Sequence, residues 1–207
     1  MSHTPGVRQA QKLRTRQALL DAALTLLEHQ SLSSLGLREV TRSAGVTPTA
    51  FYRHFDGMAA LGVALVEEAL GSLHGMIGAV LAGTGDSEER LDRGVELIAR
   101  HVAAQPAHFR FIAREQHGGV GPVREATAAQ LRAFTEEVAA AVATEPESAG
   151  WDRPDLLMLA GLYVDHMVLT ASALLDAAGP EEEREVVRTA RRRLRLVTLG
   201  RAHWLDT

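Results

Sequence analysis

The sequence predicts an all-α fold. Nearly every long segment repeats its apolar residues at three- and four-residue spacing, none alternates strictly enough to suggest a strand, and proline or glycine marks the segment ends. The chain has 207 residues, 46% hydrophobic and 23% charged, close to the globular averages of about 45–50% and about 25%. Disorder is excluded, and the length suits one large or two small domains. There is no cysteine, which removes disulfide frameworks, thiolate metal sites and a cysteine nucleophile together. No apolar run follows Met1-Ser2-His3-Thr4-Pro5-Gly6, so no signal peptide is expected and the cytoplasm is the expected location.

About nine helices are expected. The first runs from about Val7 to Gln30, with Leu19, Ala22, Ala23, Leu26 and Leu27 as its buried stripe. Its first turns carry Arg8, Lys12, Arg14 and Arg16, a poor match to the helix dipole, whose N-terminal end prefers anions; an external phosphate would compensate them. Ser33-Ser34-Leu35-Gly36 breaks the chain before a short helix over Leu37 to Ala44. Gly36 is placed to cap it, Glu39 to reach back as in a capping box, and Gly45 to end it in the left-handed conformation. Thr47 can cap a second short helix reaching Phe55, with Pro48 at its first position. Met58 to Leu81 is a long amphipathic helix. Ser87 is the expected cap of the next, which runs to Ala104. Pro106 starts a short helix ending before His117-Gly118-Gly119, and Pro122 starts another that runs to about Thr144. Glu145 to Gly150 is expected as a polar loop. The last two helices run from Pro154 to Ala178 and from Glu181 to Trp204. The former is apolar nearly all round. Asp165 and His166 in mid-run argue against a membrane span and for burial in a bundle or across a dimer interface.

The net charge of −4 is unevenly spread. Residues 1–55 hold seven basic and three acidic groups, a net +4, which leaves −8 for the remainder. Such asymmetry is expected where one small domain meets a polyanion. Within it, the helix over Leu37 to Ala44, the turn Ala44-Gly45-Val46 and the helix from Thr47 have helix-turn-helix spacing, in which the second helix enters the major groove. Phe51 and Phe55 are four apart and point to the core with Val40, Ala44 and Val46. Thr49 and Ala50 remain for base edges, and Thr47, Tyr52 and His54 for phosphates. Arg8, Lys12 and Arg16 of the first helix, with Arg38 and Arg53, complete the expected double-stranded DNA-binding set.

The run Leu37-Arg38-Glu39-Val40-Thr41-Arg42-Ser43-Ala44-Gly45-Val46-Thr47-Pro48-Thr49-Ala50-Phe51-Tyr52-Arg53-His54-Phe55 resembles the DNA-binding signature of the TetR family of bacterial repressors. The resemblance implies a helix-turn-helix domain over 1–55 and an effector-binding and dimerisation domain over 56–207. It implies a homodimer paired through the last two helices, and a palindromic operator. A lysine commonly opens the family's fourth helix, whereas Met58 stands here, so one customary phosphate contact is in doubt. Met58 with Leu61-Gly62, Gly6-Val7-Arg8, Thr47-Pro48-Thr49 and Phe109-Arg110-Phe111-Ile112-Ala113-Arg114-Glu115 is similar to the subgroup repressing unsaturated fatty acid synthesis, the FabR and DesT type. That likeness implies a long-chain acyl-CoA or related lipid as effector. Another hydrophobic small molecule, in a repressor of an efflux or catabolic operon, is the alternative; a ligand-independent architectural DNA-binding protein is a remote one.

Candidate effector residues are the apolar Phe109, Phe111, Ile112, Phe134, Met158 and Leu162, with Leu131 and Met167 beside them. Arg114 and Glu115 are candidates for a polar head group, as are Arg110 and His117. His166 and Asp165 need partners, because unpaired burial is costly. No catalytic or metal site is expected: there is no HExxH and no His pair at i, i+4, and Gly118-Gly119-Val120-Gly121 follows a helix and lacks a P-loop lysine.

Overall fold

The computed structural model describes residues 5–83 and 86–206. Residues 1–4, the start of the expected N-terminal domain, and Thr84-Gly85 lie outside the described residues. Among the described residues the fold is all-α: α1 (Pro5–Leu27), α2 (Leu37–Ser43), α3 (Pro48–Phe51), α4 (Met58–Leu81), α5 (Ser87–Ala104), α6 (Pro106–Glu115), α7 (Gly121–Val142), α8 (Arg153–Asp176) and α9 (Pro180–Arg201). Two 3₁₀ turns, Pro146–Ser148 and Trp204–Asp206, occupy stretches expected as loop and helix end.

Local chemistry sets the ends of the short helices. The Gly36 N–H donates to Glu39 Oε2 at 3.0 Å, closing the start of α2. At its end Gly45 has φ +65°. Gly45 N–H donates to Arg42 O at 3.2 Å and Val46 N–H to Thr41 O at 2.9 Å, the paired bonds of a Schellman end that only a left-handed residue permits. Thr47 Oγ1 accepts from Ala50 N–H at 3.2 Å, and Pro48 occupies the first position of α3. The expected helix over Thr47 to Phe55 is shorter as a regular element. Beyond Phe51 it continues as turns, closed by Phe55 N–H to Phe51 O at 3.0 Å. Asp86, not Ser87, caps α5: its Oδ1 accepts from Glu89 N–H at 2.8 Å. The carboxylate is a stronger acceptor at a dipole's positive end, and it leaves the Ser87 hydroxyl free for a distant partner.

Packing then joins the elements. Leu19, Leu20 and Ala23 of α1, Val40 of α2, Phe51 of α3 and Leu61, Leu65, Val66 and Ala69 of α4 are sealed from solvent. They belong to one apolar cluster that continues into α6 and α7 through Phe109, Phe111, Ile112, Val123 and Phe134. A smaller cluster ties α5, α8 and α9 through Val95, Leu159, Tyr163, Ala190 and Leu194. The helices Met58–Leu81 and Arg153–Asp176 are long and apolar enough to cross a membrane by length and composition. In the fold, α4 turns Leu61, Leu65, Leu70 and Leu73 into the core.

One histidine is folded into this interior and a second is half-buried against α9. His101 is 8% exposed and meets the Phe109 ring edge-on at 5.5 Å. Burial lowers its pKa from the ordinary 6.5; a hydrogen bond to the Ala69 backbone opposes the shift and His108 adds to it. Burial likewise lowers that of His166; a hydrogen bond to the Ala190 backbone opposes it, and Arg193 adds to it. The unfolded chain therefore takes up protons more readily. The stability from neutral imidazole is fully present above the unfolded value and is lost as pH falls through the folded one. We expect the melting temperature to fall on acidification from about pH 7 to about pH 5.5, and to fall less for His101→Gln. Equal falls in wild type and variant would show that His101 does not carry the effect.

Candidate nucleic-acid interface and ligand cavity

The outer face of α3 and its following turns presents polar groups around a sealed aromatic base. Phe51 is fully buried, with its ring 5.5 Å from that of Phe55. Tyr52 is 60% exposed, and Thr47, Thr49 and Arg53 are exposed beside the half-buried Ala50 and His54. From α1, Arg8 and Lys12 are exposed, and the Arg16 guanidinium lies 5.2 Å from the Phe55 ring centroid, in cation–π range. Arg38 is exposed at the start of α2. The His54 pKa is lowered by burial and then by the nearby charges of Lys12, Arg16 and Arg53. The basic start of the chain and the short helix thus form one positive field, suited to a phosphate backbone.

A cavity of about 170 Å³ lies between α4, α5, α6, α7 and α8. Of the expected effector residues, Phe109, Ile112 and Phe134 line it, with Leu131 and Met167. Leu70, Leu73 and Ile77 of α4, Leu97 and Ile98 of α5, and Val164 and Ala171 of α8 complete much of the apolar wall. The remaining expected residues lie elsewhere. Phe111 is buried in the core cluster outside the wall. Met158 and Leu162 are 45% and 50% exposed on the far side of α8. His166 is half-buried off the cavity, its Nε2 enclosed without a hydrogen-bond partner among the described residues.

Arg114 and Glu115 are turned the other way, towards the first helix. Arg114 Nη1 donates to Leu27 O at 2.6 Å and Gln30 O at 2.9 Å. These are carbonyls at and just beyond the end of α1, where a cation suits the dipole. Glu115 is 1% exposed, and its Oε1 accepts from Leu32 N–H at 2.8 Å. Helix α6 therefore touches the cavity with Phe109 and Ile112 and holds the α1–α2 junction with Arg114 and Glu115. Gly62 allows a close approach nearby: a Cβ there would meet Leu32 Cδ2 at 2.4 Å and Val123 Cγ2 at 2.7 Å.

Three polar wall residues, Arg90, Glu145 and Arg201, have no counterpart in the sequence reading. Arg201 falls in the last turn of a charged helix, where an exposed side chain is the default.

Residues 19–65 match the family described as bacterial regulatory proteins, tetR family. An uncharacterised HTH-type transcriptional regulator of Haemophilus influenzae is 37% identical over 142 residues, 65% of this chain and 66% of that relative. The match thus spans just under two thirds of the relative's length. Among solved structures, the fatty acid degradation regulator FadR from Bacillus halodurans superposes with a TM-score of 0.69 at 16% identity, covering 94% of this chain and 96% of that one. FadR from Bacillus subtilis in complex with stearoyl-CoA gives 0.68 at 14% identity, covering 87% and 96%. At such identities these two show a common fold. Residues 19–65 thus carry the DNA-binding unit of the tetR family of bacterial regulatory proteins, and the chain as a whole shares the all-helical fold of the two FadR structures.

Proposed function

We propose that this protein is a ligand-responsive cytoplasmic repressor. It binds a palindromic operator as a homodimer and changes its affinity for it when a long-chain acyl thioester fills the cavity, controlling genes of lipid metabolism. Residues 1–55 serve as the DNA-binding head and 56–207 as the effector and dimerisation body. The observation that carries this reading is the double engagement of α6, whose Phe109 and Ile112 line the cavity while Arg114 and Glu115 grip the end of α1 and Leu32. An effector changes DNA affinity only if it binds one arrangement of the heads better than another, and α6 is the element through which a filled cavity can bias that arrangement. The stearoyl-CoA complex of the B. subtilis FadR supports an acyl ligand in a chamber of this fold.

Dimerisation is supported by an unpartnered apolar face. Met158, Leu162 and Leu169 project from α8, and Leu196 and Leu199 from α9, each 45% exposed or more. Around Gly161 and Gly200 there is open space, which permits close helix approach. Exposed leucines on two adjacent helices suit a four-helix interface.

The head divides its labour. Tyr52→Ala and His54→Ala should weaken binding to specific and random duplexes alike, each by about 1–2 kcal/mol. Thr49→Ala should instead change which sequence is preferred. Anisotropy titrations on the operator and a scrambled duplex separate the two, and equal losses on both duplexes for all three variants contradict the division.

A further inference from the structure

The cavity wall is largely apolar, with Gln116, Tyr163 and Ser172 as its uncharged polar members, and its charged residues gather at one pole, where Arg90, Glu145 and Arg201 come together with Ser87. Glu145 Oε1 accepts from Arg90 Nη2 at 2.5 Å. Its Oε2 accepts from Arg201 Nη1 at 2.5 Å and from Ser87 Oγ at 2.8 Å. Burial alone would raise the Glu145 pKa, but the hydrogen bonds from Arg201, Ser87 and Arg90 outweigh it and hold the carboxyl below its ordinary value. The Arg201 side chain is 2% exposed. A second carboxylate, Glu147, stands 3.4 Å from Arg201 with its own side chain 53% exposed, so water screens its charge. Both guanidiniums thus donate to one largely enclosed carboxylate, the Glu145 side chain being 12% exposed. Arg201 Nε, also buried, makes no hydrogen bond among the described residues. A buried donor without an acceptor is costly, and the molecule complementary to this chamber carries one anionic, planar acceptor group on an apolar body.

We propose that the Arg90–Arg201 pole is a carboxylate subsite, so that the cavity takes an unesterified amphipathic carboxylic acid with its chain along the apolar wall. The inference rests on the reading of the cavity as the effector site, and adds the free acid to the acyl thioester as a ligand. The ligand carboxylate accepts from Arg201 and Arg90, and with Glu145 it balances the two guanidiniums. A methyl ester of the same chain fills the same wall but brings no charge to the pole. Glu145 competes for the same donors, so removing its charge favours the incoming anion.

Calorimetric titration of the full chain with decanoate, methyl decanoate and palmitoyl-CoA tests this, with operator anisotropy recorded alongside. In the wild type, decanoate should bind about tenfold or more tighter than its methyl ester, the scale of a charge-assisted hydrogen bond. Arg201→Gln should erase the preference for the acid, and Glu145→Gln should increase it, where a purely structural tie would weaken both ligands in either variant. Equal affinity for acid and ester in the wild type overturns the proposal without recourse to any variant. If palmitoyl-CoA then still binds and shifts the operator affinity, the effector site stands and only the carboxylate subsite falls. If no acyl compound binds, both fall.

Discussion

Leu162→Arg combined with Leu196→Arg should yield a monomer whose operator affinity is lower by about 100-fold or more. The two leucines are 50% and 71% exposed on α8 and α9, on the face proposed to pair. Each contributes nothing to the monomer's sealed core, so the variant should retain its helical content and its ligand cavity. In the dimer, four guanidiniums would enter one interface without partners, a large penalty. The operator loss follows from geometry. Two heads held on one body bind successive half-sites at a high effective concentration, whereas separated heads bind each half-site alone. Sedimentation and anisotropy on the same preparation give the answer. A variant that remains dimeric places the interface elsewhere, and a monomer with undiminished operator affinity removes the need for pairing.

Glu115→Ala should leave a protein that binds operator and ligand but no longer couples them. The side chain is 1% exposed and supplies the acceptor for the Leu32 N–H at 2.8 Å. Without it a buried donor is orphaned, at a stability cost of about 1–3 kcal/mol, and α6 loses its fixed point on the α1–α2 junction. The ratio of operator affinities with and without ligand should collapse towards one. Glu115→Gln keeps an oxygen that can accept from Leu32 and should keep much of the response. Gly118→Ala attacks the same tie from the other side, since its Cβ would lie 2.4 Å from Glu115 Oε2. A full ligand response in Glu115→Ala, measured by anisotropy with the ligand saturating, would show that the signal takes another route.

Local chemistry was legible in the sequence; distant pairing was not. Gly36 with Glu39, Gly45, and Thr47 with Pro48 act within four residues of one another, and each forms the turn or cap that its residue type favours. The aromatic base under α3 was also readable, because Phe51 and Phe55 share a helical face against Val40 and Val46. The faces of α6 and α8 were not. Arg114 and Glu115 follow Phe109 and Ile112 closely in sequence, and only the position of α1 shows that the charged pair points to that helix. In α8 nearly every residue is apolar, so hydrophobicity gives no contrast between Leu159, sealed in the core, and Leu162, left exposed. The cavity's charged pole joins Arg201 to Glu145 across 56 residues, a pairing no local pattern records. At the start of α5 Asp86 took the role expected of Ser87, a one-residue shift that places the Ser87 hydroxyl on Glu145.

Operator recognition and its control by an acyl effector are read together in fluorescence anisotropy of the palindromic duplex nearest the protein's own gene. It is titrated at fixed salt, with and without oleoyl-CoA and stearoyl-CoA, against a scrambled duplex of equal length. One dimer should bind each palindrome saturably, at least about a thousandfold tighter than the scrambled duplex, with an operator affinity shifted by at least one of the two thioesters. Binding to both duplexes with equal affinity would contradict the operator-binding repressor, and specific binding indifferent to both thioesters would contradict its acyl effector.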